Sequence, residues 1–137
     1  MTAARATYSV RQATGPAAQA HLLVDPVTFS PRYDLDRVQG RFSRAGHPLY
    51  GEPIAGVVLA APGVQGGVAG GWAFLAMAGL GVGPAALVFG ETNPVMVQGA
   101  VTAGIPIVAG IDPAFFDEAR SGDVVRVDPA ARTVQLL

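Results

Sequence analysis

The dominant pattern is an uncharged block between Glu52 and Glu91, in which Val57–Phe89 reads VVLAAPGVQGGVAGGWAFLAMAGLGVGPAALVF. A continuous apolar run, Val57–Ala60, predicts a strand closed by Pro62-Gly63. The stretch Val64–Gly71 is rich in glycine and opens a helix predicted over Gly70–Ala78, with Trp72 and Phe74 as its bulky residues and Gly79 as its C-cap. Ala85–Phe89 is again continuously apolar, the signature of a strand buried on both faces of a parallel sheet. The piece from Gly70 to Phe89 has the length of a membrane span. Gly79, Gly81, Gly83 and Pro84 interrupt its middle and no arginine anchors its ends, so the pattern is read as a buried helix followed by a strand.

The flanking pattern completes an α/β alternation. Asn93 stands at an N-cap, Pro94 at the first helical position and Gly104 just past the end of a helix whose apolar face is Val97, Ala100 and Val101. Ile105–Ala109 predicts another buried strand, and Asp112-Pro113 starts a short helix through Ala119. Gly122–Leu136 alternates with period two and predicts a hairpin. Upstream, His21–Val24 reads as a strand closed by Asp25-Pro26, and Val27–Phe29 as a short extended piece. Ser30–Gly46 is polar and predicts an exposed loop or hairpin, either a contact surface or a solvated one. Residues 1–20 are poorly defined, with only Tyr8–Val10 suggesting a strand. The whole, residues 1–137, reads as one domain.

Composition narrows the function classes. The net charge is −1, which leaves no electrostatic footprint for nucleic acid or for an anionic membrane. All nine basic residues are arginine and cysteine is absent, so lysine and thiolate chemistry are both excluded for this chain. The N-terminal stretch lacks an apolar signal core, which predicts a cytoplasmic protein.

The candidate chemistry is sparse. A glycine-rich loop opening a helix can hold a phosphate or carboxylate on backbone N–H groups at Gly66, Gly67, Gly70 and Gly71. The same glycines could simply let a helix pack closely on its neighbours. No P-loop lysine and no G-x-G-x-x-G pattern accompanies them. His47 could be a general base, a phosphoryl acceptor or a turn histidine bonded to backbone. His21 reads as a strand residue. Asp34 and Asp36 have metal-like spacing without a third ligand. Arg32, Arg37, Arg41 and Arg44 could grip a carboxylate or phosphate, or be solvated or paired with a partner. These residues do not make a self-contained catalytic centre, and the chain reads as one wall of a site completed by another chain.

The segments HPLYGEPIAG (His47–Gly56), the strand and loop that follow, ETNPVMVQGAVTAGIPIV (Glu91–Val108) and GDVVRVD (Gly122–Asp128) resemble the small, swivel-domain subunit of the aconitase X family. The resemblance runs from about Leu22 to Leu137. It implies an α/β fold of the swivelling β/β/α kind that closes over a larger subunit. That partner would carry an iron–sulfur cluster or iron and most of the substrate, with no cofactor on this chain. It also implies a hydro-lyase acting on a hydroxy-carboxylate or phosphorylated small molecule, with a loop serine as base. The loop is equivalent to Pro62–Gly71, and here the sequence departs from the pattern: Gly66, Gly67, Val68, Ala69 and Gly71 stand where relatives have serines and threonine, and Gln65 replaces a loop arginine. None of these side chains takes a proton. The expected substrate or anion contacts are therefore Gly63, Gln65, Gly66, Gly67, Gly70 and Gly71, with Arg44, His47 and Asn93 as contributors. The alternative expectation is a non-catalytic binding or regulatory swivel domain that docks a partner.

Overall fold

The computed structural model describes residues 4–137, apart from the side chains of residues 68 and 69. Three strands open the chain: β1 (Ala6–Ser9), β2 (Gln12–Thr14) and β3 (Ala18–Val24). The polar insertion forms a one-turn helix, α1 (Pro31–Asp34), and a two-stranded ribbon, β4 (Leu35–Asp36) and β5 (Arg41–Phe42). Then come β6 (Val58–Ala61), α2 (Val68–Gly79), β7 (Ala86–Phe89), α3 (Pro94–Ala103), β8 (Ile107–Ala109), α4 (Ala114–Glu118), β9 (Val124–Asp128) and β10 (Thr133–Leu136).

The eight long-range strands form one ladder in the order β1-β10-β9-β3-β6-β7-β8-β2. Its halves differ in sense. β1, β10, β9 and the first part of β3 are antiparallel, whereas the end of β3 runs parallel to β6, β7 and β8. β1 and β2 hold opposite ends of the ladder yet are separated by only Val10 and Arg11, whose N–H groups donate to Arg132 and Ala109. The sheet therefore curls until its two edges nearly meet.

Alternation along the strands sorts the core in two. Val58, Ala60, Ala86, Val88 and Val108 point into the curl beside Leu22, Phe115, Val125, Val127 and Val134. Leu59, Ala61, Leu87, Phe89 and Ile107 point outward, under Phe74 and Met77 of α2 and Met96 and Ala100 of α3. Both faces of β6 and β7 are fully buried, which is why their sequences show no polar alternation. The layers are thus antiparallel sheet, parallel sheet, helices.

Three elements differ from expectation. Of the twenty N-terminal residues expected to be poorly defined, 1–3 lie outside the described residues and 4–20 contribute two edge strands and the start of β3; their outward residues are polar, and their pairing depends on β8, β9 and β10 far along the chain. α2 begins two residues earlier than expected, and its chain reversal falls at Gly81 (φ 73°), not at Gly79. There Val82 N–H donates to Met77 O and Gly81 N–H to Ala78 O, a Schellman closure. On α3 the buried residues are Met96 and Ala100, while Val101 is exposed. Its caps form as the sequence indicates: Asn93 Oδ1 accepts from Met96 N–H at 2.9 Å, and Gly104 turns left-handed at φ 73°. No helix of the described residues is long and apolar enough to cross a membrane.

Candidate functional site

In a parallel sheet the ligand-accessible rim lies at the carboxyl ends of the strands. Here that rim carries the loop Pro62–Gly67 after β6 and the turn Gly90–Asn93 after β7. The two are laced together: Gly90 N–H donates to Ala61 O at 3.1 Å and Glu91 N–H to Pro62 O at 3.0 Å. Asn93 adds a third tie, its Nδ2 donating to Gly66 O at 3.2 Å while its Oδ1 caps α3. From the other side the segment after β3 supports the loop. Val64 bridges Phe29, and Gln65 N–H donates to Phe29 O at 2.8 Å.

The glycines separate into two groups when a Cβ is placed on each. At Gly63 it would stand 3.1 Å from Thr28 Oγ1, at Gly70 2.9 Å from Met96 Cε, and at Gly71 3.3 Å from Val95 O and 3.4 Å from Gly99 Cα. Close packing explains those three positions. Gly66 and Gly67 are different. Both are exposed, and nothing lies within 4 Å of a Cβ at Gly67. Gly66 holds φ 124°, a conformation open to glycine and strained for other residues. The open part of the loop is therefore Gln65-Gly66-Gly67, directly before the first turn of α2; the N–H groups of Gly70 and Gly71, also expected as anion contacts, are already engaged with Gly67 O at 3.1 and 3.3 Å. The side chain of Val68 lies outside the described residues. Trp72, one turn on, is 61% exposed and points away from the core that Phe74 fills.

Arg44 and His47 do not join this loop. Arg44 is 64% exposed and pairs with the buried Asp34 at 3.2 Å, whose second oxygen accepts from Ser30 N–H at 2.7 Å. Asp36 is occupied with the N–H groups of Val38 and Gln39, which hold its carboxyl below the usual range. His47 is buried. Its ring stacks on Phe42 at 4.6 Å, Nδ1 accepts from Leu49 N–H at 3.0 Å, and Nε2 faces Asp25 Oδ2 at 3.1 Å. Nδ1 is thus committed to backbone while Nε2 only faces the acid, and the geometry is that of a turn histidine held by backbone beside one carboxyl. Asp25, at the end of β3, has no exposed surface, and burial pushes its carboxyl above the ordinary 3.8 despite the opposing pull of the Val27 N–H and His47. This partner lies 22 positions upstream of His47 and was not visible in sequence, where an Asp-Pro closing a strand reads as an ordinary turn.

A curled sheet split into antiparallel and parallel halves, crowned by two helices and a glycine-lined rim, defines a β/β/α swivel-type domain. Comparison with known proteins places it further. The chain belongs to the aconitase X swivel domain family, whose model matches residues 7–136. It is 33% identical over 125 residues to the phosphomevalonate dehydratase small subunit of Methanocella arvoryzae, covering 91% of each chain. To the protein of that name from Thermococcus gammatolerans it is 31% identical, covering 93% of this chain and 95% of the other. Among solved structures, a chain of Thermococcus kodakaraensis aconitase X in its holo-form superposes with a TM-score of 0.89 at 26% identity, over 96% of this chain and 98% of that one. A UPF0107 protein solved by solution NMR matches with the same TM-score at 28% identity, over 96% and 99%.

Proposed function

We propose that this chain is the small subunit of a two-chain hydro-lyase of the phosphomevalonate dehydratase type, one wall of a site whose other wall is a separate large subunit. The observation that carries this reading is the open Gly66–Gly67 pair on the carboxyl rim of the parallel strands, in a chain that small subunits match almost end to end. The loop meets a carboxylate or phosphate of the substrate with backbone N–H groups, favoured by the dipole of α2. Asn93 fixes the loop by holding Gly66 O, and the exposed Gln65 side chain offers an amide beside it. Gly66 and Gly67 cannot move a proton, so the base that starts dehydration comes from the large subunit.

The iron–sulfur cluster or iron also belongs to the large subunit in this reading. This chain has no cysteine, and among its described residues no three His, Asp or Glu side chains gather to hold a metal. Its residues do not fit such a group, and its own part is binding and closure.

The reading is tested by co-purifying the chain with an aconitase X large subunit from the same organism and following loss of water from phosphomevalonate. Turnover by the complex, with neither chain active alone, is the expected result. In that complex Gly67→Ser should change kcat less than about threefold; a gain of a hundredfold or more, the size of a general-base contribution, would place proton transfer at this loop instead. The second reading, a binding or regulatory domain without catalysis, is favoured by the bare Gly66–Gly67 loop. A stable complex that turns over neither phosphomevalonate nor other hydroxy acids would select it.

A further inference from the structure

His47 and Asp25 form a contact that neither the loop nor the caps require: both side chains are buried, and Nε2 and Oδ2 lie 3.1 Å apart without the alignment of a hydrogen bond. The pair closes a circuit. Asp25 Oδ1 accepts from Val27 N–H at 3.0 Å, and Asp25 N–H donates to Ala60 O at 2.7 Å. Two residues past Val27, Phe29 packs edge-on against Phe42 at 5.6 Å, and Phe42 stacks on the His47 ring. The segment inside this circuit is the one that carries the loop: Thr28 touches Gly63, Phe29 bridges Val64, and Phe29 O receives Gln65 N–H.

We infer that His47, acting through Asp25, is a positioning residue for the Gly63–Gly67 loop. The imidazole ties the turn at residues 47–56 to the end of β3, and that tie sets where residues 25–29 lie and so where Gln65 and Gly66 stand on the rim. Nδ1 accepts from Leu49 N–H, which fixes the ring so that Nε2 faces the Asp25 carboxyl at 3.1 Å. The functional half of this inference rests on the reading proposed above; the structural half does not.

The two nitrogens can be tested separately. His47→Gln keeps a donor where Nε2 stood, and His47→Asn keeps only an acceptor where Nδ1 stood. Amide hydrogen exchange in the full chain reads the outcome at Gln65, with Val127 in β9, within the other core, as the monitor of global unfolding. In His47→Asn, exchange at Gln65 should quicken about tenfold, the equivalent of one lost buried polar contact, while Val127 stays unchanged. His47→Gln should stay within about threefold of the parent chain. In the assembled enzyme the same order should appear in KM, with kcat nearly constant. Unchanged exchange at Gln65 in both variants, or greater disturbance in His47→Gln, would overturn the inference. An inactive parent complex would instead strike the proposed function and leave the exchange result standing. Should His47→Asn quicken Val127 as well, the histidine holds the whole fold and the positioning role is refuted.

Discussion

Gly99→Ala tests the account of the helical layer most severely. A Cβ at Gly99 would stand 2.5 Å from Gly71 Cα and 3.0 Å from Gly71 C and O, all backbone atoms. Carbon atoms in contact sit about 3.5–4.0 Å apart, so α2 and α3 would have to part by roughly 1 Å where they cross. Overpacking of this kind costs about 1–3 kcal/mol. The gain in helix propensity from Gly to Ala offsets up to about 1 kcal/mol of it. The net expectation is a loss of about 1–2 kcal/mol, seen in urea unfolding as a lower midpoint at unchanged slope. Gly71→Ala meets Val95 O at 3.3 Å and should be milder. Gly79→Ala, on the same helix with nothing within 4 Å, should be neutral or stabilising by a few tenths of a kcal/mol. A Gly99→Ala chain as stable as the parent, with the Gly79→Ala control behaving as stated, would refute the claim that these glycines exist for the crossing.

The remaining expectations concern the rim and the inner core. Asn93→Ala removes the α3 cap and the tie to Gly66 O; a loss of about 1 kcal/mol and faster exchange at Gly66-Gly67 are expected in denaturation and exchange measurements. Gly66→Ala should cost about 1 kcal/mol through its φ of 124°, whereas Gly67→Ala, which meets open space, should cost less; equal effects would contradict the division of the loop. Tyr8 donates to Glu118 Oε2 at 2.9 Å, and burial first, then Glu118, pushes its phenol up to about 12. Because that value lies above the ordinary 10.0, its stabilisation is complete below pH 10 and is lost as pH rises through about 12. Spectrophotometric titration should show a late tyrosine that is missing in Tyr8→Phe, whose stability at neutral pH falls by about 1 kcal/mol.

How far the sequence carried the account depends on how local each feature is. The caps of α3 were legible because Asn93, Pro94 and Gly104 act within one turn of the helix they bound. The parallel strands were legible because burial on both faces leaves uninterrupted runs such as Ala86–Phe89. The glycine that closes α2 was placed at Gly79 instead of Gly81 because both satisfy the local signal, and only the bonds from Gly81 and Val82 decide between them. β1 and β2 were not legible as the edge strands of a curled sheet, since their partners come about a hundred residues later. The candidate site divided along the same line. The glycine loop was visible, but not which glycines serve packing, because Gly70 and Gly71 are explained by Met96, Val95 and Gly99 on another helix. Arg44 and His47 were grouped with the loop by proximity to the motif; their partners, Asp34 and Asp25, draw them into the support beneath it.

The central claim is that Gln65-Gly66-Gly67 faces a site completed by another polypeptide. Amide hydrogen exchange across these residues, measured on the chain alone and then in complex with its large subunit and phosphomevalonate, tests it directly. Slower exchange at Gly66 and Gly67 in the complex, deepened by substrate, is the predicted result. A complex that forms while both amides exchange as in the free chain would contradict it.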